Sequence, residues 1–241
     1  MHRFFMPHTI SDRFVISDRS QLHYIKDVLR LEANEEVAVF DNSGNEYTCI
    51  IVSIGKEQAS LLVKEKKPAT VSAVNLTIAC AIPKKNDMDE IVDKLTQLEV
   101  RSIIPMETER TIVRLDEDKK ESRLNRWRKI AQSAAEQSQR NNVSIIREIT
   151  DVKDVIMNSR DFNLKLIPAL IDDRKHVREI ISVYEQGCIL VLIGPEGDFT
   201  PQEMKLAKDN GFMPVSLGSS VLRVSTAAIA ITSYIKLALG I

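Results

Sequence analysis

The chain is predicted to be an α/β protein with a small β-rich module at its N-terminus. Three observations predict this. Strand-like runs and a hairpin turn fill residues 1–67, whereas from Asn75 onward short apolar runs alternate with helical patterns. Such alternation implies a mostly parallel sheet covered by helices on both faces. Between the two regimes lies a charged, Pro-containing run, Lys64-Glu-Lys-Lys-Pro68, followed by the polar residues 69–73. It reads as an interdomain linker, which sets domains at 1–70 and 71–241.

In the N-terminal module, residues 21–31 read as one short helix. Residues 36–40 and 46–52 flank Asp41-Asn-Ser-Gly-Asn45, a hairpin-type turn. Residues 58–63 make a further strand, and a small β-barrel is the economical arrangement. Beyond the linker, residues 76–82 form a buried strand. Residues 87–98 set Met88, Ile91, Val92, Leu95 and Leu98 at helical spacing. A strand over 101–106 leads through a charged segment into a helix over 122–138. Strands at 164–170 and 188–193 bracket a helix at 177–185. A helix over 202–210 is stopped by Gly211, residues 213–217 are the last strand, and Ser225 or Thr226 caps a final helix over 227–239. No internal repeat and no low-complexity tract interrupts this order.

Composition removes several classes of function. Over 241 residues, 44% hydrophobic and 28% charged content is ordinary for a soluble globular protein. No apolar run approaches the roughly 20 residues that span a bilayer, and Met1-His-Arg-Phe-Phe is no signal peptide. A cytoplasmic protein without membrane partners is expected. Cys49, Cys80 and Cys188 lie in apolar, strand-like contexts with no CxxC pair, so they read as reduced core residues. The four histidines form no HExxH pair, and no metal centre is expected. A net charge of -1 argues against indiscriminate coating of nucleic acid. Modest basic zones remain: residues 101–150 hold 11 Lys/Arg against 8 Asp/Glu, and residues 1–30 hold 5 against 3.

The most informative stretch is Val191-Leu-Ile-Gly-Pro-Glu-Gly-Asp-Phe-Thr-Pro-Gln-Glu203. A buried strand runs into a Gly-Pro-Glu-Gly turn, then into a helix start with an N-cap, a proline at the first position and a capping-box glutamate. Strand, glycine turn and capped helix place a ligand site at the carboxyl end of a sheet. The turn matches neither GxGxxG nor GxxxxGK[ST], which disfavours the usual dinucleotide and nucleoside triphosphate sites. A second strand end, Ser216-Leu-Gly-Ser-Ser-Val-Leu-Arg-Val-Ser-Thr-Ala-Ala228, repeats the grammar about 20 residues later. The two loops together would make one pocket built largely from main chain, suited to an adenine and ribose.

These two blocks resemble the C-terminal signature of the SPOUT methyltransferases, and most closely the RsmE family, which methylates N3 of a uridine in 16S ribosomal RNA. Arg3-Phe4-Phe5 and Val28-Leu29-Arg30 resemble that family's N-terminal PUA-like RNA-binding barrel. Ile82-Pro83-Lys84, the segment 94–100 and Glu136-Gln-Ser-Gln-Arg140 resemble its central motifs. The resemblance covers nearly the whole chain. It implies a trefoil-knotted α/β domain in which the last part of the chain threads a loop, an exception to the no-knot rule. It implies S-adenosylmethionine bound in the knot and a homodimer formed there. Cofactor-binding positions implied are Ile193, Gly194, Gly197, Leu217, Gly218, Leu222 and Arg223, with Glu196, Val221 and Thr226 beside them in the same loops. The chain departs from the family in four places. Asp198 stands where a second glycine is usual. Ser220 replaces an arginine, Ser225 an acidic residue, and Gln97-Leu-Glu-Val100 stands for Glu-Leu-Gly-Val.

Methyl transfer from a sulfonium to uridine N3 is an in-line displacement that alignment accelerates. The imide N–H must also be lost, which calls for a base or for stabilisation of the anion. Arg140 and Arg223 are the candidate catalytic stabilisers or phosphate clamps. Glu196 is a tempting base, but a carboxylate in such a turn more often accepts backbone N–H bonds. Arg3, His23, Arg30, Arg123, Arg126 and Arg140 are the candidate RNA contacts, and Trp127 at its helical spacing reads as core. Ribose 2′-O methylation and a catalytically degenerate RNA-binding or ribosome-assembly protein of this fold are the alternatives.

Overall fold

A computed structural model describes residues 1–7, 10–69, 72–84, 87–112, 115–171 and 173–240. The chain divides into two units, Met1–Val71 with Ala135–Val143, and Ser72–Ala134 with Ser144–Ile241. The return of residues 135–143 to the first unit is not legible in the sequence, because it depends on where a distant helix ends.

In the first unit, β1 (Arg3–Phe5), β2 (Arg13–Ile16), β3 (Glu36–Phe40), β4 (Glu46–Ile54) and β5 (Ala59–Lys67) pair in the order β1-β3-β4-β5-β2. The pairing places β1 and β2 at the two ends of a five-stranded sheet. Alternation along β4 sends Tyr47, Cys49 and Ile51 into a core with Phe4, Ile16, Ile25, Val37, Val39 and Leu61. The predicted strands at 36–40 and 46–52 are present, and β4 runs two residues further. Lys64–Lys67 is strand rather than linker. Its lysines pair across the sheet, Lys64 with Glu36 and Lys67 with Glu46, which keeps a charged run in register. Of the predicted linker, residues 70 and 71 lie outside the described residues. The expected helix begins earlier than residue 21, as α1 (Arg19–His23) capped by Asp18, and continues as a π-helical turn over Tyr24–Val28.

The second unit is a parallel sheet in the order β11-β13-β10-β12-β6-β7-β8, with β9 also paired to β7. Its strands are β6 (Val74–Ala81), β7 (Ser102–Glu107), β8 (Ile145–Ile146), β9 (Thr150–Asp151), β10 (Leu164–Pro168), β11 (Lys175–His176), β12 (Gly187–Ile193) and β13 (Met213–Ser216). The helices are α2 (Asp87–Gln97), α3 (Glu117–Gln137), α4 (Val152–Met157), α5 (Val177–Ile181), α6 (Pro201–Asp209) and α7 (Val224–Leu239). Central strands buried on both faces explain the unbroken apolar run in β12 and the buried residues 76–81 of β6. One core joins Leu190 and Leu192 of β12 to Phe199, Met204, Ala207 and Phe212 around α6.

Four sequence expectations need correction. α3 starts five residues before 122, because its acidic first turn, Glu117 and Asp118, favours the helix N-terminus. α5 stops at Ile181, and Val183 beyond it is 79% exposed. α7 starts at Val224, which is buried and draws the chain into helix early, so the N-cap is Arg223 rather than Ser225 or Thr226. α4, capped by Asp151, and the short strands β2, β8, β9 and β11 were not expected at all. Among the described residues, no helix is long and apolar enough to cross a membrane.

Candidate functional site

Strands β12, β10 and β13 are neighbours, and all run parallel. Their carboxyl ends therefore open at one edge of the sheet, where the loops after Ile193, Pro168 and Ser216 converge. A cleft with about 630 Å³ of empty space, partly open to solvent, lies among them.

The first wall is the Gly-Pro-Glu-Gly turn. Ile193 closes β12 as a buried residue, and Gly194 follows against the ring of Phe199. A Cβ on Gly194 would stand 2.9 Å from that ring, so the backbone passes where no side chain fits. The turn closes with Asp198 N–H donating to Pro195 O at 3.0 Å. Glu196 accepts the backbone N–H of Lys84 at 3.2 Å, which gives its carboxylate a structural partner. Gly197 O accepts from Arg110 Nη1 at 2.6 Å, fastening the turn from outside. Thr200 and Glu203 then form the expected capping box, and α6 starts at Pro201.

The second wall follows β13. Gly218 has φ +124°, a left-handed conformation that glycine adopts without strain, and it exchanges hydrogen bonds with Ser216 Oγ. Leu217, Gly218, Ser220, Val221 and Leu222 line the cleft, and Val221 is 74% exposed at its mouth. Val224 and Ala227, in the first turn of α7, close this side.

The third wall was missed by the motifs. Pro168, the last residue of β10, and Ala169, Leu170 and Arg174 beyond it line the same cleft. The sequence runs this strand on to residue 170, but β10 stops at Pro168, which leaves Ala169 and Leu170 free to line a loop. Asp198 joins this wall to the first: its Oδ2 accepts Leu170 N–H at 3.1 Å and its Oδ1 accepts Phe199 N–H at 2.8 Å.

Of the sequence-named residues, Ile193, Gly194, Glu196, Leu217, Gly218, Val221 and Leu222 come together around the cleft. Gly197 stands one residue away in the turn and faces Arg110. Arg223 and Thr226 are exposed beside the lining residues Leu222, Val224 and Ala227, without lining the cleft themselves. Apolar walls with free main-chain groups at strand ends can hold a planar heterocycle and a sugar. Cys80, buried at the end of β6, has its thiol pushed up to about 12 by burial first and by Glu196 second, so it is no nucleophile.

The remaining candidates belong to other surfaces. Arg3 is committed within the first unit: its guanidinium pairs with Glu46, meets Asn141 and Arg140 O, and lies 5.4 Å from the Phe40 ring centroid. Its side chain is only 9% exposed, which fits a structural role. His23 is exposed beside Asp27, with Nδ1 2.6 Å from Oδ2. Arg30 is exposed with φ +54° at the end of the helical segment. Arg140 accepts that bond from Arg3 while its own N–H donates to Ala135 O. In the second unit, Arg126 is held by Asp89 at 2.7 Å, and the same carboxylate accepts from Trp127 Nε1 at 3.1 Å. Trp127 is buried and belongs to the core, whereas Arg123 is half-buried on the same helix. No group of three or more His, Cys, Asp or Glu that could hold a metal ion occurs among the described residues.

Comparison with known proteins adds to this geometry. The family model for an RNA methyltransferase domain matches residues 70–236, and that for an RNA methyltransferase PUA domain matches residues 16–64. The chain is 31% identical over 230 residues to a ribosomal RNA small subunit methyltransferase E of Rickettsia conorii, covering 94% of this chain and 91% of that one. A crystal structure of a ribosomal RNA small subunit methyltransferase E from Neisseria gonorrhoeae, bound to S-adenosyl methionine, superposes with a TM-score of 0.88 at 31% identity, covering 98% and 97% of the two chains. A putative methyltransferase from Legionella pneumophila, in complex with the same cofactor, gives 0.88 at 28% identity over the same shares.

Proposed function

The chain belongs to the ribosomal RNA small subunit methyltransferase E family, and from that premise we propose that it uses S-adenosylmethionine to methylate N3 of a uridine in 16S ribosomal RNA. One observation carries the reading. The two motif loops of the sequence, Gly194–Asp198 and Leu217–Leu222, form opposite walls of one cleft at the carboxyl ends of two parallel strands that flank β10. The same region of the fold is where open α/β sheets bind ligands.

The residues present fit the cofactor. Gly194 lets the turn pack against the Phe199 ring, and no atom lies within 4 Å of where a Gly218 Cβ would stand, which leaves open space for a ligand beside that loop. Ile193, Pro195, Leu217 and Leu222 supply apolar surface for an adenine, and main-chain groups of both loops supply its hydrogen bonds. When bound, the cofactor supplies an electrophilic methyl group on a sulfonium. The chain's part is to hold that methyl in line with the acceptor nitrogen and to keep water away. Arg223, exposed at the start of α7 beside lining residues, is assigned to stabilising the uridine anion as its N3 proton leaves. Arg140 enters this assignment through its sequence motif. Glu196, holding Lys84 N–H, keeps the turn in shape and is not assigned as the base.

The rest of the reading follows the resemblance. Residues 1–70 are taken as a PUA-like RNA-binding barrel and 71–241 as the methyltransferase domain, which the spans of the two family models support. The last strand pairs beyond β10, while α7 returns to pack on α2, β6 and β12. That return supports a knotted crossing of the C-terminal segment. Val183 and Leu237 are apolar side chains left 79% and 82% exposed, and pairing of two copies through this domain would cover such surface. Cytoplasmic residence accords with a ribosomal substrate.

The test is transfer of a labelled methyl group to small subunits from cells lacking this protein, with the product nucleoside identified by mass. We expect 3-methyluridine. A methyl on ribose, or no product, overturns the proposal.

A further inference from the structure

Among the described residues that line the cleft, Arg174 is the cationic side chain, on the wall that no motif announces. Arg174 is half-buried and donates Nη1–H to Ala169 O at 2.9 Å. Among the described residues no carboxylate pairs with it. The two carboxylates that line the same cleft are already engaged by backbone: Glu196 by Lys84 N–H, Asp198 by Leu170 and Phe199 N–H. A guanidinium has five donors, so most of this one's hydrogen-bonding capacity is left over in a cleft whose two carboxylates are held by backbone N–H groups rather than by it. The first turn of the 16-residue α7 lines the same cleft through Val224 and Ala227, and a helix N-terminus carries partial positive charge. Arg174 and this helix start are the two features of the lining that favour an anionic group beside them.

Resting on the methyl-donor reading, we propose that Arg174 binds the carboxylate of the donor's amino-acid portion. That carboxylate is the donor's only anion; its sulfonium and ammonium are cations that Arg174 repels. The pairing thus orients the donor end to end. Asp198 is the positioning residue for this contact. Its bond from Leu170 N–H ties the segment bearing Arg174 to the Gly-Pro-Glu-Gly turn, and the Arg174–Ala169 bond folds the segment's end back onto its start. A guanidinium held in place at both ends of its loop loses less entropy on binding than a mobile one.

Calorimetric titration of the full chain with three ligands tests this. S-adenosylmethionine carries the carboxylate, decarboxylated S-adenosylmethionine keeps both cations without it, and 5′-methylthioadenosine keeps only the nucleoside. We expect wild type to prefer the first over the second by about tenfold to a hundredfold, the range for a charge-assisted hydrogen bond. Arg174→Met should erase that preference and leave methylthioadenosine binding unchanged, which also reports an intact cleft. Arg174→Lys should restore part of it. Asp198→Gly should reduce the preference severalfold and speed hydrogen exchange at the Leu170 amide.

Equal wild-type affinity for the first two ligands overturns the proposal while the donor reading stands. So does an equal loss of all three in Arg174→Met, or a loss confined to RNA affinity, which would make Arg174 a phosphate contact. Wild type binding none of the three overturns the donor reading and this proposal together.

Discussion

Asp198 and Glu99 have φ of +59° and +65°, a conformation that costs a residue with a Cβ roughly 1 kcal/mol. Both stand where the family that the sequence resembles usually has glycine, and both have a φ that glycine adopts freely. Each carboxylate fastens something else. Asp198 holds Leu170 and Phe199 N–H, and Glu99, just past the end of α2, pairs with Lys236 of α7. At each position a carboxylate on left-handed backbone links two segments. Asp198→Ala keeps the strain and loses both hydrogen bonds, so it should destabilise by about 1–3 kcal/mol. Asp198→Gly should cost about 1 kcal/mol less, because glycine adopts that φ freely. Urea unfolding of the two variants measures the gap; equal midpoints would show that the left-handed strain is not there. Sequence reading singled out Asp198 as a departure, but a hydrogen bond to a residue 28 positions away has no local signature.

At the scale of elements, α6 shows how a local signal can have a distant partner. Thr200-Pro-Gln-Glu203 announces an N-cap from sequence alone, and the capping box is present. The structure adds that Glu203 is buried and also accepts the backbone N–H of Glu109, after β7, at 2.8 Å. One carboxylate therefore satisfies the helix start and a neighbouring loop. Thr200→Ala should cost about 1 kcal/mol, the usual worth of a cap. Glu203→Ala should cost about 2–3 kcal/mol, because it strands the buried Thr200 N–H as well as removing the acceptor of the Glu109 N–H. Chemical denaturation of both variants tests this ordering, and a larger loss in Thr200→Ala would refute it. α7 shows the converse: two good cap residues, Ser225 and Thr226, lie inside the helix. Burial of Val224 set the boundary instead.

For the molecule as a whole, the first unit carries a pH dependence that follows from one half-buried contact. Hydrogen bonding from the Arg3 guanidinium, with its charge and Lys67 adding to it, holds the Glu46 carboxyl below its ordinary value of 4.5 against the opposing effect of burial. A carboxylate depressed in the folded state stabilises it above the unfolded value, and that contribution is lost as pH falls below 4.5. Stability of the first unit should therefore drop on acidification below that point. Arg3→Met should be less stable at neutral pH and show a shallower acid loss. Melting followed at neutral pH and at about pH 3.5 checks both, and an unchanged acid slope in the variant would remove Glu46 as the cause.

The sequence by itself determined the alternation of elements, the hairpin strands β3 and β4, the buried strands β6 and β12, and two of the three walls of the cleft. These rest on short-range physics: apolar periodicity, capping chemistry and glycine turns are written within about a dozen residues of one another. Tertiary structure alone decided that β10 lies between β12 and β13, and so that Pro168–Leu170 and Arg174 form the third wall. It also decided that Arg3 and Arg126 are spent on Glu46 and Asp89. Strand order and ion-pair partners are settled by contacts between residues far apart in the chain. No local pattern encodes which two distant segments will meet.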